Sequence, residues 1–353
     1  MKLLSIRLAV VFMIFIQLSC STDKNLIKSP GYTQIVVDTL LNEKMSSRAL
    51  AIDKDKVWYG ASNGKYGYIS LNGAADFSAI IEKENLKLEF RSLAQTPESV
   101  FILSVANPAL LYKIDKESKQ ISLVYEEKHE KVFYDAILFM NEKEGIAIGD
   151  PTDGCPSIIK TSDGGNTWNK LSCTGLPKFA EGEAFFAASN TNITYRNGKL
   201  FMVSGGVKSK FYVSADKGET WIGYETPIVQ GKAMTGVFTS DFYDENIGII
   251  AGGNYEKLEQ NLQNKAITFN GGKKWKLIAE NAAFGYASCV QFLPDTNGKC
   301  ILTAGATGVF YSRDSGKKWQ QLLPDKDFIA FRFIDNKTAV ASGKNRIVKF
   351  TLK

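Results

Sequence analysis

Three arginines recur at the opening of short apolar segments, in Ser47-Arg48-Ala49, Phe90-Arg91-Ser92 and Phe331-Arg332-Phe333. If those segments are the inner strands of a closed ring, three guanidiniums stand at one level around its channel. Such a set suits carboxylate, phosphate or sulfate. The competing reading is structural: each arginine pairs with an acid of a neighbouring unit, and Asp135, Asp150, Glu181 and Glu183 are the candidates. The same acids are also candidates for glycoside hydrolysis, which needs a pair of carboxyls flanking the scissile bond. Glu181 and Glu183 share a side if their segment is a strand, and Asp150 can approach them from the adjoining unit. Asn254 and Tyr255 follow Gly252-Gly253 and open a long polar insertion, 256–265, of the kind that carries binding residues on a rim. The single histidine, His129, follows Glu126-Glu127-Lys128 and reads as a solvated imidazole. One histidine excludes multi-histidine metal sites, and no CxxC or Cys/His cluster points to zinc. No metal and no cofactor is expected, because dinucleotide, haem and flavin motifs are absent.

The chain that must position these residues has 353 residues, 44% hydrophobic and 23% charged, which excludes disorder and leaves room for one large or two ordinary domains. The formal net charge of +6 is spread along the chain, so nucleic acid is not an expected partner. Residues 1–19 read as an export signal: Lys2 and Arg7 precede an apolar run, 8–16, closed by Gln17-Leu18-Ser19. Cys20 then stands where a bacterial lipoprotein is cleaved and lipidated, and 20–31 reads as a polar tether. The expected location is the cell envelope, with the lipid as the only membrane contact. Four further cysteines in an exported chain permit disulfides. Cys155 with Cys173 and Cys289 with Cys300 each flank one predicted hairpin, so local pairing is favoured over four buried thiols.

Four segments share one pattern: Thr161 to Trp168 around Asp163, Ser214 to Trp221 around Asp216, Thr268 to Trp275 around Asn270, and Ser312 to Trp319 around Asp314. Their tryptophans recur at intervals of roughly 44 to 54 residues, and repeats of this length point to stacked supersecondary units. The pattern S/T-x-D-x-G-x-T/K-W is the Asp-box, or BNR repeat. The Asp or Asn accepts backbone N–H groups, glycine takes the positive-φ position, and the indole seals the hairpin. This is a structural device without chemistry of its own. The same period extends upstream without the box. Inner strands are predicted at 48–52, 90–94, 134–139, 183–187, 236–238, 288–292 and 331–334. Glycine-rich second strands follow each of them. Seven such units predict an all-β fold over 32–353, a seven-bladed β-propeller with Asp-box hairpins. The spare strand 34–40 closes the ring by pairing into the last blade, which covers both exposed edges.

The boxes, together with Gly145-Ile146-Ala147-Ile148-Gly149, resemble the photosystem II stability/assembly factor-like group of BNR propellers across nearly all of the mature chain. Gly149-Asp150-Pro151, 181–189 and Gly252-Gly253-Asn254-Tyr255 are similar to a subgroup of exported bacterial propellers often labelled "oxidoreductase". The resemblance implies a propeller and a binding or assembly role. Sialidases also carry Asp-boxes and an arginine triad, but their Arg-Ile-Pro motif is absent here. The expected function is a monomeric, lipid-anchored, non-catalytic scaffold that binds an envelope protein, an anionic small ligand or a glycan at its central funnel. A glycoside hydrolase or lyase using the funnel acids, and a cofactor-dependent oxidoreductase, are the alternatives.

Overall fold

Alternating apolar residues and glycine-bearing turns give strands throughout, with no helix among residues 29–353, the part of the chain described by this computed structural model. The leader and Cys20 lie outside the described residues. The chain opens with β1 (Ile35–Asp53), β2 (Lys56–Ala61), β3 (Lys65–Ser70) and β4 (Phe77–Ile80). A second set is β5 (Phe90–Gln95), β6 (Ser99–Ser104), β7 (Ala109–Asp115) and β8 (Ile121–Glu127). A third is β9 (Tyr134–Phe139), β10 (Gly145–Gly149), β11 (Ser157–Thr161) and β12 (Asn169–Lys170). Then come β13 (Glu183–Ala184), β14 (Ile193–Arg196), β15 (Lys199–Val203), β16 (Gly205–Gly206), β17 (Lys210–Ser214) and β18 (Ile222–Glu225). The chain continues through β19 (Thr235–Phe242), β20 (Gly248–Asn254), β21 (Lys265–Thr268) and β22 (Lys276–Leu277). It ends with β23 (Ala287–Phe292), β24 (Ile301–Gly305), β25 (Gly308–Ser312), β26 (Gln320–Leu323), β27 (Phe328–Phe333) and β28 (Thr338–Leu352).

These strands form antiparallel sheets arranged as a β-propeller, with β1, β5, β9, β14, β19, β23 and β27 following one another around the centre. The expectation of seven blades is corrected to six, because the described residues make six hydrogen-bonded sheets. The reason is the length of β1. Its first part pairs with β28, from Ile35↔Leu352 to Ser46↔Lys344, and its last part pairs with β2, from Ser47↔Ala61 to Asp53↔Lys56. One strand thereby fuses the first and last repeat units into a single sheet, β27-β28-β1-β2-β3-β4. Within it β28 doubles back, with Asn345 at φ 64° and Leu352 N donating to Lys337 O at 2.9 Å.

The core lies between adjacent sheets, where inward-facing side chains interlock. Phe201 stacks on Phe242 at 3.8 Å, and Phe211 and Trp275 pack around that pair. Burial of such rings is the main favourable term for the fold. The repeated turns hold the outer edges. Asp163 Oδ1 accepts from Asn166 N and Thr167 N at 2.9 and 3.0 Å, and Oδ2 accepts from the Thr167 hydroxyl at 2.7 Å. Asp216, Asn270 and Asp314 repeat the bond to the amide four residues on, each at 2.9 Å. Trp221 and Trp319 each donate Nε1 to the carbonyl of the turn glycine, Gly218 or Gly316. Gly165 and Gly272 have φ of 79° and 82°, and a Cβ there would meet the Phe101 or Phe211 ring at 2.3 or 2.0 Å. Glycine is therefore required twice over, by conformation and by contact.

Cys155 and Cys173 are disulfide-bonded, with Cα atoms 5.7 Å apart, and tie the loop before β11 to the loop after β12. The expected Cys289–Cys300 bridge is corrected: both are buried free thiols. Cys289 lies on β23, whereas Cys300 precedes β24 and pairs through its carbonyl with Leu293 N, so the two sit at different levels of one hairpin.

Partial desolvation raises the Asp163 carboxyl, but hydrogen bonds from the Thr167 amide and hydroxyl, the Thr161 hydroxyl and the Asn166 amide together outweigh it and draw it down to about 2. A lowered folded value means stability that is present above the ordinary carboxylate range and lost as pH falls toward 2. Asp163→Ala should lower the unfolding free energy by about 1 kcal/mol at neutral pH in denaturant titration. Asp163→Asn should lose less and flatten the acid limb, because Asn270 already does this work uncharged.

Candidate functional site

Most inner strands slip register by one residue near their start. The extra residue is Arg48 in β1, Arg91 in β5, Asp135 in β9, Phe238 in β19, Ser288 in β23 and Ile329 in β27. A bulge of this kind re-aims one side chain out of the alternation, which is how a sheet places a residue at a site. Opposite the residue just before each bulge stands a small partner: Ala61, Ser104, Gly149, Gly252, Gly305 and Gly343. At Gly149, Gly305 and Gly343 a Cβ would lie 2.0–2.4 Å from the carbonyl oxygen of the segment leading into the inner strand.

The fourth repeat unit departs from this plan. The expected inner strand 183–187 is only β13, and the chain from Phe185 to Asn192 instead crosses the channel. Buried polar groups fasten it there. The Ser189 hydroxyl donates to Ser288 O at 2.6 Å, and the Thr191 and Thr239 hydroxyls bond at 2.7 Å. Asn190 donates to Leu93 O and Ile137 O and accepts from Ile137 N. Arg332 Nη2 donates to Ser189 O at 2.7 Å, and Arg48 Nη1 to Ala187 O at 3.3 Å. This plug reaches β1, β5, β9, β19, β23 and β27, and it stands between two mouths, one lined by Phe185 to Ala188 and the other by Asn190 and Thr191.

The first mouth, about 520 Å³, is lined by Arg48, Arg91, Asp150, Phe133, Phe185 to Ala188, Met234, Phe238, Tyr255 and Tyr286. One wall is aromatic: Phe186 stacks on Phe238 at 3.7 Å, and Tyr286 meets Phe238 and Tyr255 edge-on at 4.8 and 5.0 Å. The opposite side is cationic. Arg48 makes no ion pair among the described residues, and Arg91 reaches only Glu89, at 3.4 Å. Burial, and then the charge of Arg91, lowers the Arg48 guanidinium below its ordinary value. Behind this pair lies Asp135, fully buried, with neither carboxyl oxygen in a hydrogen bond of good geometry. Burial raises it far above the carboxylate range, Asp150 adds to the rise, and Arg91 opposes it. Asp150 is pushed up to about 6 by burial, against the pull of the Phe185 amide, which it accepts at 2.7 Å.

The arginine triad is corrected to a pair. Arg332 is the fifth residue of β27, not its bulge residue, so it lines the second mouth, about 670 Å³, together with Asp241, Arg196 and Gln291. The expected carboxylate cluster also disperses. Glu183 is locked by Ser204 Oγ, Tyr212 OH and Ala180 N, and Glu181 is exposed on a side pocket that Asp150 and Lys131 share. Asn254 is buried and caps Glu256 N, whereas Tyr255 stands 46% exposed at the first mouth. His129 accepts from Lys131 N in the turn before β9, away from both mouths. Sequence reasoning missed Phe186, Phe238 and Tyr286. Aligning the units on the small residue opposite each bulge would have found Phe238 and set Ile329, not Arg332, beside Arg48 and Arg91. Among the described residues no group of three or more His, Cys, Asp or Glu side chains is placed to hold a metal ion.

No family model and no curated protein matches the chain. Solved structures do. "YCF48 bound to D1 peptide" aligns at a TM-score of 0.66 and 13% identity, over 92% of this chain and 99% of that one. "YCF48 from Cyanidioschyzon merolae" aligns at 0.62 and 10%, over 90% and 98%. "Crystal structure of RRP9 WD40 repeats" aligns at 0.61 and 12%, over 92% and 99%. The likeness is one of fold. It covers nearly the whole of each chain and agrees with a β-propeller like that of YCF48.

The plug yields its own test. Asn190 sits at φ 59° and serves two inner strands with both ends of its amide. Asn190→Ala should lower the unfolding free energy by about 3 kcal/mol, through orphaned backbone groups and left-handed strain. A loss well under about 1 kcal/mol in denaturant titration would show that the channel is closed by something else.

Proposed function

We propose that the protein is a non-catalytic binding scaffold that takes an anionic segment of a protein partner at the Arg48–Arg91 mouth. The observation that carries this reading is a pair of guanidiniums, without strong internal partners, over a closed floor and opposite an aromatic wall. Guanidiniums recognise carboxylates by paired N–H donors, and aromatic faces bind flat apolar groups or peptide side chains at little entropic cost. A fold neighbour titled as bound to a D1 peptide supports a peptide as the partner's contacting element. A photosystem II assembly factor-like role belongs to the same reading, with the ring as a platform for one client chain.

The amino-terminal sequence supports an exported, lipid-anchored setting: a charged start at Lys2 and Arg7, an apolar run and then Cys20. Cys20→Ser should release the protein from the membrane fraction, as read by fractionation and immunoblot. Crosslinked co-purification from native membranes should return one stoichiometric partner. The Arg48→Ala/Arg91→Ala variant should lose that partner by tenfold or more while its melting temperature holds, in line with the typical weight of a charged contact. Arg332→Ala, on the far side of the plug, should retain it. Equal capture by the double variant would overturn the mouth as the site.

A further inference from the structure

The acids at the foot of the first mouth are not what an anion site alone requires. Asp135 occupies the bulge position next to Arg91, is fully buried, and has no hydrogen bond of good geometry; only the Ala187 amide, besides Arg91, is near enough to favour its charged form. Asp150 borders both the mouth and the side pocket, and its charge acts on Asp135. Neither acid is ion-paired to Arg48 or Arg91 among the described residues. The other charged groups around them come from every neighbouring element. Arg91 of β5 opposes Asp135, and Glu89 just before β5 offsets Arg91. Arg48 lies on β1, Lys131 and Glu181 face Asp150 across the side pocket, and Glu183 of β13 is already satisfied.

We propose that the mouth is a proton-coupled site for an oxyanion group (carboxylate, sulfate or sulfonate), in which Arg48 and Arg91 hold the charge while Asp150, backed by Asp135, takes up a proton from solvent as the ligand arrives. This rests on the anion-binding reading of the mouth given above. An anion seated on the two guanidiniums adds negative charge beside Asp150, and protonation of the buried pair relieves the repulsion. No bond to the ligand forms or breaks. Asp150 already sits at about 6, above the ordinary carboxylate range, so the ligand has only a short way to raise it. Because binding takes up a proton, affinity rises as pH falls through that range, by at most tenfold per pH unit. A cationic ligand would reverse the sign.

The probe is benzenesulfonate, whose ring suits the Phe186–Phe238 wall and whose charge does not titrate near neutrality. Calorimetry on the full chain, between about pH 5.5 and 8 in buffers of different ionisation heat, reads proton uptake directly. The expected result is up to one proton taken up per site, with affinity increasing about three- to tenfold per unit of falling pH. Asp150→Asn keeps an acceptor for Phe185 N. It should bind more tightly than the parent at the upper end of that range and show no pH slope. Carboxyl carbon-13 NMR should report Asp135 protonated at neutral pH. Binding that needs Arg48 and Arg91 but takes up no proton overturns the coupling and leaves the mouth reading intact, as does a slope that survives in Asp150→Asn. No binding at any pH, or binding indifferent to Arg48→Ala/Arg91→Ala, overturns both.

Discussion

A short run of buried polar side chains, Ser189 to Thr191, ties the centre of this ring together. Inner strands of a propeller meet only at their edges, and their backbone groups near the axis have no sheet partner on that side. Here the segment between β13 and β14 of the fourth unit serves the inner strands of the other units. Ser189 and Asn190 donate to the Ser288, Leu93 and Ile137 carbonyls, Asn190 accepts from Ile137 N, the Thr191 and Thr239 hydroxyls bond, and the Ser189 carbonyl accepts from Arg332. Unmet buried groups of this kind each cost about 1–3 kcal/mol, so the plug is a condition of the packed centre and not an addition to it. It also decides the chemistry. A through-channel would place Arg48, Arg91 and Arg332 in one space, whereas the plug assigns the first two to one mouth and the third to the other.

That division explains which parts of the molecule were legible in the residues. The repeated turns were, because their physics is local. Asp163, Asp216, Asn270 and Asp314 each bond an amide four residues away, and that spacing is visible in the chain. The strands around them followed, as did the pairing of the N-terminal strand with the last unit. The blade count failed on β1, since nothing in 35–53 shows that one continuous strand serves two units. The fourth unit failed at 183–187, whose apolar alternation suits a strand, whereas the residues just beyond it, Ser189-Asn190-Thr191, form their hydrogen bonds across the axis.

The candidate site was half legible. Arg48 and Arg91 share one mouth because each is the bulge residue of its strand, one past the residue that faces a small partner on the second strand. Arg332 was misplaced by three residues, enough to move it from one face of the ring to the other. Strand alternation also hides the aromatic wall. Phe238 points into the mouth because of a bulge, and a bulge is a register event between two strands, invisible along either one. Asp135 shows the same limit in its energetics: its type and position are plain in the sequence, but its complete burial without a well-formed hydrogen bond exists only in the folded ring.

The junction of β1 with β28 bears on how the protein comes to be folded at all. Ile35 pairs with Leu352, and Thr33 N and Lys353 O bond at 2.7 Å, so the contacts that shut the ring join residues more than three hundred positions apart. Contacts of such separation form late and slowly. Until Leu352 has emerged from the ribosome, both flanks of the fused sheet remain open edges, the state in which β chains pair wrongly with one another. Folding of this chain therefore has a natural order: the middle sheets consolidate first, and β1 waits.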